Sequence, residues 1–351
     1  MVSSGMTKLG YNLILFDDCW SAKTRDANGN LQPDPERFPS GIPAIVEYLQ
    51  QRGLTLGLYL CSGTETCKYG RPGSFGFFDQ DAAQLAAWNV SYAKFDYCHH
   101  PDGVSPFDLY SNISRAFLAT GHPFTLSACE WGRDNPWTDF GSIFNLWRAT
   151  PDHLPFYSFT NKNQGQGIKE IINQFAGLSG YAGPGGWNDA DFLETLFHPT
   201  LDYTDSVTEF SFWSLVGSPL IVATDVRNMS DSKRSILLNQ EVIAISQDSL
   251  AQAGDRVSNY TDGGQVWMRP LADRSLAVVA WNSNSNKKSG NLTVEISWTA
   301  LGLAPSTQVS VRDLWAHTNL GDFNTAFNVS LAPHASAMYR FTPVEQPLVL
   351  S

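Results

Sequence analysis

Apolar and polar positions between residues 11 and 225 form a repeating pattern of short apolar runs and longer amphipathic stretches. The apolar runs predict seven strands, at 11–18, 55–60, 92–98, 124–129, 146–150, 186–191 and 219–225. The stretches between them predict helices at 42–52, 81–88, 106–120, 167–178 and 206–215. Strands that alternate with helices in this way are typical of repeated βα units built around a parallel sheet.

The spacing of the units, roughly 30–40 residues, indicates an α/β fold of the (β/α)8 TIM-barrel type. Such a barrel has eight strands, and the segment before the first visible strand has the pattern of a helix. We therefore expect a barrel whose first strand is missing from this chain. An open, doubly wound sheet is the alternative, but no glycine-rich phosphate loop follows the first strand.

The pattern changes after residue 254, where six short alternating runs are separated by turn clusters such as Asp-Gly-Gly. Alternation of this kind predicts an antiparallel β-sandwich. The sequence thus predicts a barrel domain over residues 1–254 and a C-terminal β-sandwich over residues 255–351.

Charge and composition exclude two classes of protein. The 351 residues include 23 Lys+Arg and 34 Asp+Glu, a formal net charge of −11, which opposes binding to nucleic acid or to an anionic membrane surface. No apolar run reaches the roughly 18 residues of a membrane-spanning helix. Aromatic residues make up 13% of the chain, which suits either a large core or the flat faces of sugar rings.

Glycosylation signals and cysteines bear on the compartment. Asn-x-Ser/Thr acceptors favour a glycoprotein that is secreted or delivered to a lysosome or vacuole, and they lie at Asn89, Asn112, Asn228, Asn259, Asn291 and Asn328. The five cysteines all precede residue 130, and an odd number in a secreted protein indicates a free thiol or a missing partner. Because no leader precedes them, we expect the natural N-terminus to lie outside this chain.

Carboxylates close most of the predicted strands, at Asp17, Asp18, Asp96, Glu130, Asp191 and Asp225. Catalytic groups of a βα barrel lie where strands end and loops begin. No histidine joins these strand ends, which disfavours a metal site, and nothing in the sequence implies an organic cofactor, so we predict neither. Glycoside hydrolysis needs two carboxylates that flank the scissile bond, and it is the chemistry that this pattern favours.

An ordered series of motifs then identifies a family. LILFDDCW, GLYLCSGTETC, AKFDYC, ACEWG, LWR and GPGGWNDADFLE occur in this order, followed by SPLIVATDVR and EVIAISQD. Together they resemble the α-galactosidases of glycoside hydrolase family 27, over nearly the whole chain. The resemblance implies a retaining exo-glycosidase that hydrolyses terminal non-reducing α-D-galactose by double displacement.

The resemblance also implies roles for individual residues. Asp96, in AKFDYC, matches the nucleophile, and Asp152, in WRATPDH, matches the acid/base. Asp191 is the substitute for Asp152, because Pro151 makes the loop after Arg148 depart from the family pattern. The remaining matches are to substrate-binding positions, namely Asp17, Asp18, Tyr59, Lys94, Cys129, Glu130, Trp131, Arg148 and Asp191.

Among the cysteines, Cys67 and Cys98 match a family disulfide, whereas the family partner of Cys19 lies upstream of residue 1. Glu130 and Trp131 match a bulky wall beside the 2-position of the sugar, which disfavours N-acetylgalactosamine. Two rival functions stay open: a β-L-arabinopyranosidase of the same family, and a galactose binder without turnover. A homodimer is the one protein partner that we predict.

Overall fold

The computed structural model describes residues 1–161 and 164–344. Two compact units make up the chain, Met1–Ala149 with Gly185–Trp187, and Thr150–Pro184 with Asn188–Ser351. We call them unit 1 and unit 2. The predicted domain boundary at residues 254 and 255 stays a prediction.

Unit 1 is built on a parallel sheet whose strands are β1 (Leu13–Phe16), β2 (Thr55–Cys61), β3 (Tyr92–Asp96), β4 (Thr125–Cys129) and β5 (Leu146–Arg148). The strands pair in chain order, and a sixth strand that begins at Trp187 follows β5. All five residues of β3 are buried, as are all residues of β2 except the first. Strands that are covered on both faces are nearly continuous apolar runs, which is why the sequence revealed them.

Three helices cover this sheet: α1 (Gly41–Gln50), α2 (Phe78–Ala87) and α3 (Pro106–Ala119). The start of α3 follows from its sequence, because the Ser105 side chain accepts a hydrogen bond from the Asp108 N–H and Pro106 occupies the first turn. The core between helices and strands is aliphatic and aromatic, and it includes Leu56, Leu58, Leu85, Phe95, Ile113 and Phe117.

Unit 2 includes the short antiparallel pair β6 (Thr160–Asn161) and β7 (Gly165–Gln166), followed by α4 (Ile168–Gln174). It also includes the last two residues of β8 (Trp187–Asp189), whose first residue belongs to unit 1. Three more helices follow, α5 (Tyr203–Val216), α6 (Asp231–Leu237) and α7 (Gln240–Ser246). Helix α5 starts with a capping box between Asp202 and Asp205 and ends at Gly217, whose φ is 73°. In the part of the chain that the structure describes, no helix is both long and apolar enough to cross a membrane.

The prediction of a seventh strand at 219–225 is wrong. Only Val222 pairs, in an isolated parallel bridge with Leu193 that has hydrogen bonds of 2.8 and 2.9 Å. Pro219 lacks an N–H and has a fixed φ, so the apolar run cannot add a regular ladder at its start.

The C-terminal part of unit 2 is all β-structure: β9 (Asp255–Asn259), β10 (Gly264–Pro270), β11 (Leu276–Asn282), β12 (Leu292–Ser297), β13 (Val309–Asp313), β14 (Thr318–Phe323), β15 (Ala326–Leu331) and β16 (Ser336–Pro343). A six-stranded antiparallel sheet has the order β14-β13-β16-β11-β10-β9, and β12 pairs with β15 in a second sheet. Their facing side chains form one core that includes Val278, Val294, Trp298 and Phe341. Two sheets around a shared core are the predicted sandwich.

Candidate active site

The carboxylate of Asp96 lies at the C-terminal end of β3, and each of its oxygens accepts a hydrogen bond. The Tyr59 hydroxyl donates to Oδ2 at 2.8 Å, and the Tyr97 backbone N–H donates to Oδ1 at 3.0 Å. The residue is only 8% exposed. A hydrogen bond to each oxygen fixes the orientation of the carboxylate.

Tyr59 is itself anchored at two atoms, its backbone carbonyl oxygen and its hydroxyl oxygen. Its backbone carbonyl accepts from the Trp20 indole at 2.7 Å, and its hydroxyl accepts from the Cys67 N–H at 3.4 Å while donating to Asp96. Burial and the nearby Asp96 charge raise the pKa of the Tyr59 phenol far above its usual range. The phenol therefore stays protonated and keeps donating to the carboxylate.

Lys94 and the Asp17–Asp18 pair lie beside this group. The Lys94 ammonium is 3.0 Å from Asp17 Oδ2 and 5.5 Å from the centre of the Tyr59 ring. Both aspartates follow the last residue of β1, and Asp18 Oδ2 accepts from the Lys68 N–H at 3.0 Å. Because the strand has ended, consecutive carboxylates need not point to opposite faces of the sheet.

The structure contains the disulfide expected between Cys67 and Cys98, which closes a sequence separation of 31 and joins the loops after β2 and β3. Its sulfurs and a carboxylate oxygen of Asp96 lie within 4.8 Å of one another. Since both sulfurs are in the disulfide, they are not thiolate ligands for a metal. The Cys61 thiol donates to the Cys98 carbonyl at 3.2 Å, and burial raises its pKa to about 12.

The other two free cysteines of the described chain each lie beside an arginine. Cys19 Sγ is 3.3 Å from Arg71 Nη2, and Cys129 Sγ is 3.6 Å from Arg148 Nη1. Cys129 ends β4 and Arg148 ends the neighbouring β5. This adjacency places two of the predicted substrate-binding residues at one edge of the sheet.

The buried Glu130 and the half-buried Trp131 follow β4. Neither carboxylate oxygen of Glu130 has a hydrogen-bond partner among the described residues, and burial, with the nearby Asp134 charge, raises its pKa to about 9. Trp131 has a φ of 62°, which is uncommon outside glycine. Its ring packs edge-on against Tyr97 at 6.4 Å and under the Arg133 guanidinium at 4.7 Å.

In unit 2, the segment that carries Asp152 is fixed through its backbone. The exposed Asp152 has a carbonyl that accepts from the Gln166 N–H at 2.8 Å. Gly165 allows the two backbone segments to lie this close, because a Cβ at that position would be 2.3 Å from the Asp152 carbonyl oxygen. Its φ of +136° is a second reason for glycine at this position.

Asp191 is bound to the same segment. Its Oδ2 accepts from the His153 N–H at 2.8 Å, and its own N–H donates to Asp189 Oδ1 at 2.8 Å. The Trp213 indole donates to the Asp191 carbonyl at 2.7 Å. Asp191 has a φ of 79°, so these contacts hold a strained backbone beside the residue that follows Asp152.

Sequence reasoning missed the buried residues that support this segment. Glu209 on α5 is fully buried and accepts from the Glu194 N–H at 2.6 Å and the Thr195 hydroxyl at 2.8 Å. The His153 Nδ1 lies 3.6 Å from its Oε1. An acidic residue inside the apolar stretch of α5 was the one available signal.

The structure therefore brings the predicted site residues together in two clusters. The first, in unit 1, consists of Asp17, Asp18, Tyr59, Lys94 and Asp96 beside the disulfide, with Cys129, Glu130, Trp131 and Arg148 at the ends of β4 and β5. The second, in unit 2, joins Asp152 to Asp191 through the His153 backbone. Asp225 belongs to neither, because it is exposed and pairs with Arg227 at 2.7 Å. All six predicted glycosylation acceptors are exposed.

The chain is similar to known α-galactosidases over nearly its whole length. Residues 1–248 match the family described as alpha galactosidase A, and residues 261–341 match the alpha galactosidase C-terminal beta sandwich domain. The α-galactosidase of Cyamopsis tetragonoloba is 39% identical over 343 residues, which are 98% of this chain and 80% of that protein.

Solved structures of similar enzymes give the same result for the fold. α-Galactosidase I from Mortierella vinacea has a TM-score of 0.91 at 30% identity, covering 97% of this chain and 89% of that one. The Saccharomyces cerevisiae α-galactosidase, in a structure with raffinose, has a TM-score of 0.90 at 26% identity. The match covers 98% of this chain and 92% of that one. The predicted fold class, an α/β barrel followed by an antiparallel β-sandwich, is confirmed.

Proposed function

This chain belongs to the α-galactosidases of glycoside hydrolase family 27, and we propose that it hydrolyses terminal non-reducing α-D-galactose residues of oligosaccharides or glycoconjugates. The observation that carries the proposal is the environment of Asp96. A strand-end carboxylate that is oriented by a hydrogen bond to each oxygen, in the family motif AKFDYC, suits the role of a glycosidase nucleophile.

The reaction that we propose is a double displacement. Asp96 attacks the anomeric carbon while Asp152 donates its proton to the departing glycosidic oxygen, which leaves galactose covalently bound to Asp96. Asp152 then removes a proton from water, the water attacks the anomeric carbon, and Asp96 departs as a carboxylate. The two carboxyl groups of a retaining enzyme lie about 5–5.5 Å apart, which leaves no room for a water between one of them and the sugar.

Galactose hydroxyls would be held by the groups around Asp96. Lys94 and Asp17, which form an ion pair at 3.0 Å, offer a donor and an acceptor, and Asp18 offers further acceptors. Glu130, with its pKa raised to about 9, would be a neutral carboxylic acid at neutral pH and could donate to a hydroxyl. Together with Trp131 it would leave little room for an N-acetyl group.

The direct test compares hydrolysis of an aryl α-D-galactoside by the unaltered protein and by Asp96→Asn. Asp102→Asn is the matched control, because Asp102 is an exposed aspartate on the loop that follows β3. We expect the Asp96 variant to lose at least about 1,000-fold in kcat, since removing a member of the catalytic machinery costs on this order. The control should keep the original rate. Equal activity of both variants would refute the assignment.

The same assay decides between the rival functions. Faster hydrolysis of an aryl β-L-arabinopyranoside than of the α-D-galactoside would establish the arabinopyranosidase. Galactose binding with no turnover of either substrate would establish a binding protein.

We further propose that the protein is a glycoprotein that is secreted or delivered to a lysosome or vacuole. The exposure of all six acceptor asparagines and the Cys67–Cys98 disulfide support this, because both modifications arise in the secretory pathway. A loss of mass on treatment with an N-glycosidase, for protein from its own cells, is the test. The homodimer stays a prediction, which sedimentation equilibrium would test.

A further inference from the structure

The strongest feature outside the predicted site is a buried cluster on one face of α5. Glu209 and Trp213 are four residues apart and therefore lie on the same side of the helix. Glu209 receives hydrogen bonds from the Glu194 N–H and the Thr195 hydroxyl, and Trp213 donates to the Asp191 carbonyl. One helix face thus holds both ends of the segment 191–195.

His153 joins that helix face to the neighbouring segment. Its Nδ1 lies 2.9 Å from the Phe192 carbonyl, and because a carbonyl only accepts, Nδ1 carries the proton. The same nitrogen is 3.6 Å from Glu209 Oε1, and the imidazole packs against the Trp213 ring with centroids 5.4 Å apart. The His153 side chain is therefore enclosed between Glu209, Trp213 and the Phe192 carbonyl.

The backbone of His153 transmits this arrangement to the two carboxylates of the candidate site. Its N–H donates to Asp191 Oδ2 at 2.8 Å, and the preceding residue is Asp152. A displacement of His153 toward or away from α5 would therefore move the peptide that joins it to Asp152. Displacements of about 1 Å in a catalytic group can lower a rate about 100-fold.

We propose that Glu209 is a positioning residue that acts through His153 to hold Asp152 in place for proton transfer. The inference rests on the proposed function, in which Asp152 protonates the departing oxygen. Glu209 touches no substrate in this account. Its role is to fix the His153 imidazole against α5, so that the segment 150–153 has one conformation.

Substrates that differ in their leaving group separate positioning of the acid from general damage. A phenyl α-D-galactoside needs protonation of its departing oxygen, whereas a 2,4-dinitrophenyl α-D-galactoside departs without much help. We expect Glu209→Ala to lose about 10- to 100-fold in kcat/KM on the phenyl substrate and less than about threefold on the dinitrophenyl substrate. Glu209→Gln keeps the size and the acceptor of the side chain and should restore most of the loss.

Two further variants keep the test decisive. Thr195→Val removes one donor to Glu209 without opening a cavity, and it should show a weaker form of the same dependence if the alanine variant does not fold. Asp205→Asn is the matched control, because Asp205 is equally buried on α5 but bonds to His334. Its loss, if any, should be equal on the two substrates.

The result for Asp152→Asn distinguishes the two ways of failing. If that variant loses activity equally on both substrates, Asp152 is not the acid, and the proposed function fails along with this inference. If Asp152→Asn depends on the leaving group while the Glu209 and Thr195 variants do not, only the positioning role of Glu209 is overturned.

Discussion

Replacing Glu209 by glutamine should change how the stability of the protein depends on pH. The carboxyl group is fully buried, and burial raises its pKa from 4.5 to about 8 even though Glu194 and Thr195 donate to it. Glutamine has almost the same shape but no ionisation in this range. The substitution therefore isolates the free energy of keeping this carboxyl group buried.

The sign follows from the two pKa values. Below pH 4.5 the carboxyl is protonated in both the folded and the unfolded chain, so its contribution is fully present. Between pH 4.5 and about 8 only the unfolded chain ionises, and the folded state loses stability as the pH rises. One pKa unit corresponds to about 1.4 kcal/mol, so the whole effect is on the order of 5 kcal/mol.

Urea unfolding at pH 5 and pH 8 measures the effect. We expect the free energy of unfolding of Glu209→Gln to exceed that of the unaltered protein by about 1 kcal/mol at pH 5 and by about 4 kcal/mol at pH 8. Any effect of the substitution that does not depend on pH adds the same constant to both differences. Asp273→Asn is the control, because hydrogen bonds from Ser275 lower the pKa of Asp273 and keep it ionised at both pH values. Its difference from the unaltered protein should be the same at both. If the difference in unfolding free energy between the Glu209 variant and the unaltered protein is the same at both pH values, burial does not keep the carboxyl group neutral and the reasoning fails.

Three further predictions concern the contacts around the proposed catalytic carboxylates. Removing the disulfide with Cys67→Ala and Cys98→Ala should cost about 3–4 kcal/mol of stability, because the bond closes a sequence separation of 31; an unchanged melting temperature would contradict this. Tyr59→Phe removes the hydroxyl that donates to Asp96. Because a hydrogen bond to a charged group is worth about 1.5–3 kcal/mol, kcat/KM on an aryl α-galactoside should fall about 10- to 100-fold. A value within twofold of the original would show that the bond is dispensable. Gly165→Ala would place a Cβ 2.3 Å from the Asp152 carbonyl oxygen, so kcat should fall at least about tenfold. Gly180→Ala is the control, because Gly180 has open space around it, and it should leave kcat unchanged. Equal rates of the two variants would mean that the segment at Asp152 adapts.

Much of the fold was predictable because its strands are buried on both faces. The runs predicted at 92–98 and 124–129 contain the observed Tyr92–Asp96 and Thr125–Cys129, and the helix predicted at 106–120 is Pro106–Ala119. Local signals sufficed there: continuous apolar runs for the strands, and Ser105 with Pro106 for the start of the helix. The run at 219–225 is as apolar as these strands, but only Val222 of it pairs with another segment. Composition alone does not show which apolar runs pair.

The candidate site was predictable only where the chain places carboxylates at strand ends. Asp17 and Glu130 follow strands that the sequence reveals, Asp96 ends one, and the family motifs suggested their roles. The support around Asp152 was hidden, because Glu209 and His153 are 56 residues apart and α5 is buried on nearly all sides. A helix without an exposed face has no periodic pattern to show which of its residues contacts another segment.

The measurement that tests the account most directly is the location of the covalent intermediate. The protein would be incubated with a slow fluorinated α-galactoside, digested with a protease and examined by mass spectrometry. The account predicts one galactosyl adduct, on the peptide that contains Asp96, and none in Asp96→Asn. An adduct on another carboxylate, or no adduct together with release of galactose of inverted configuration, would contradict it.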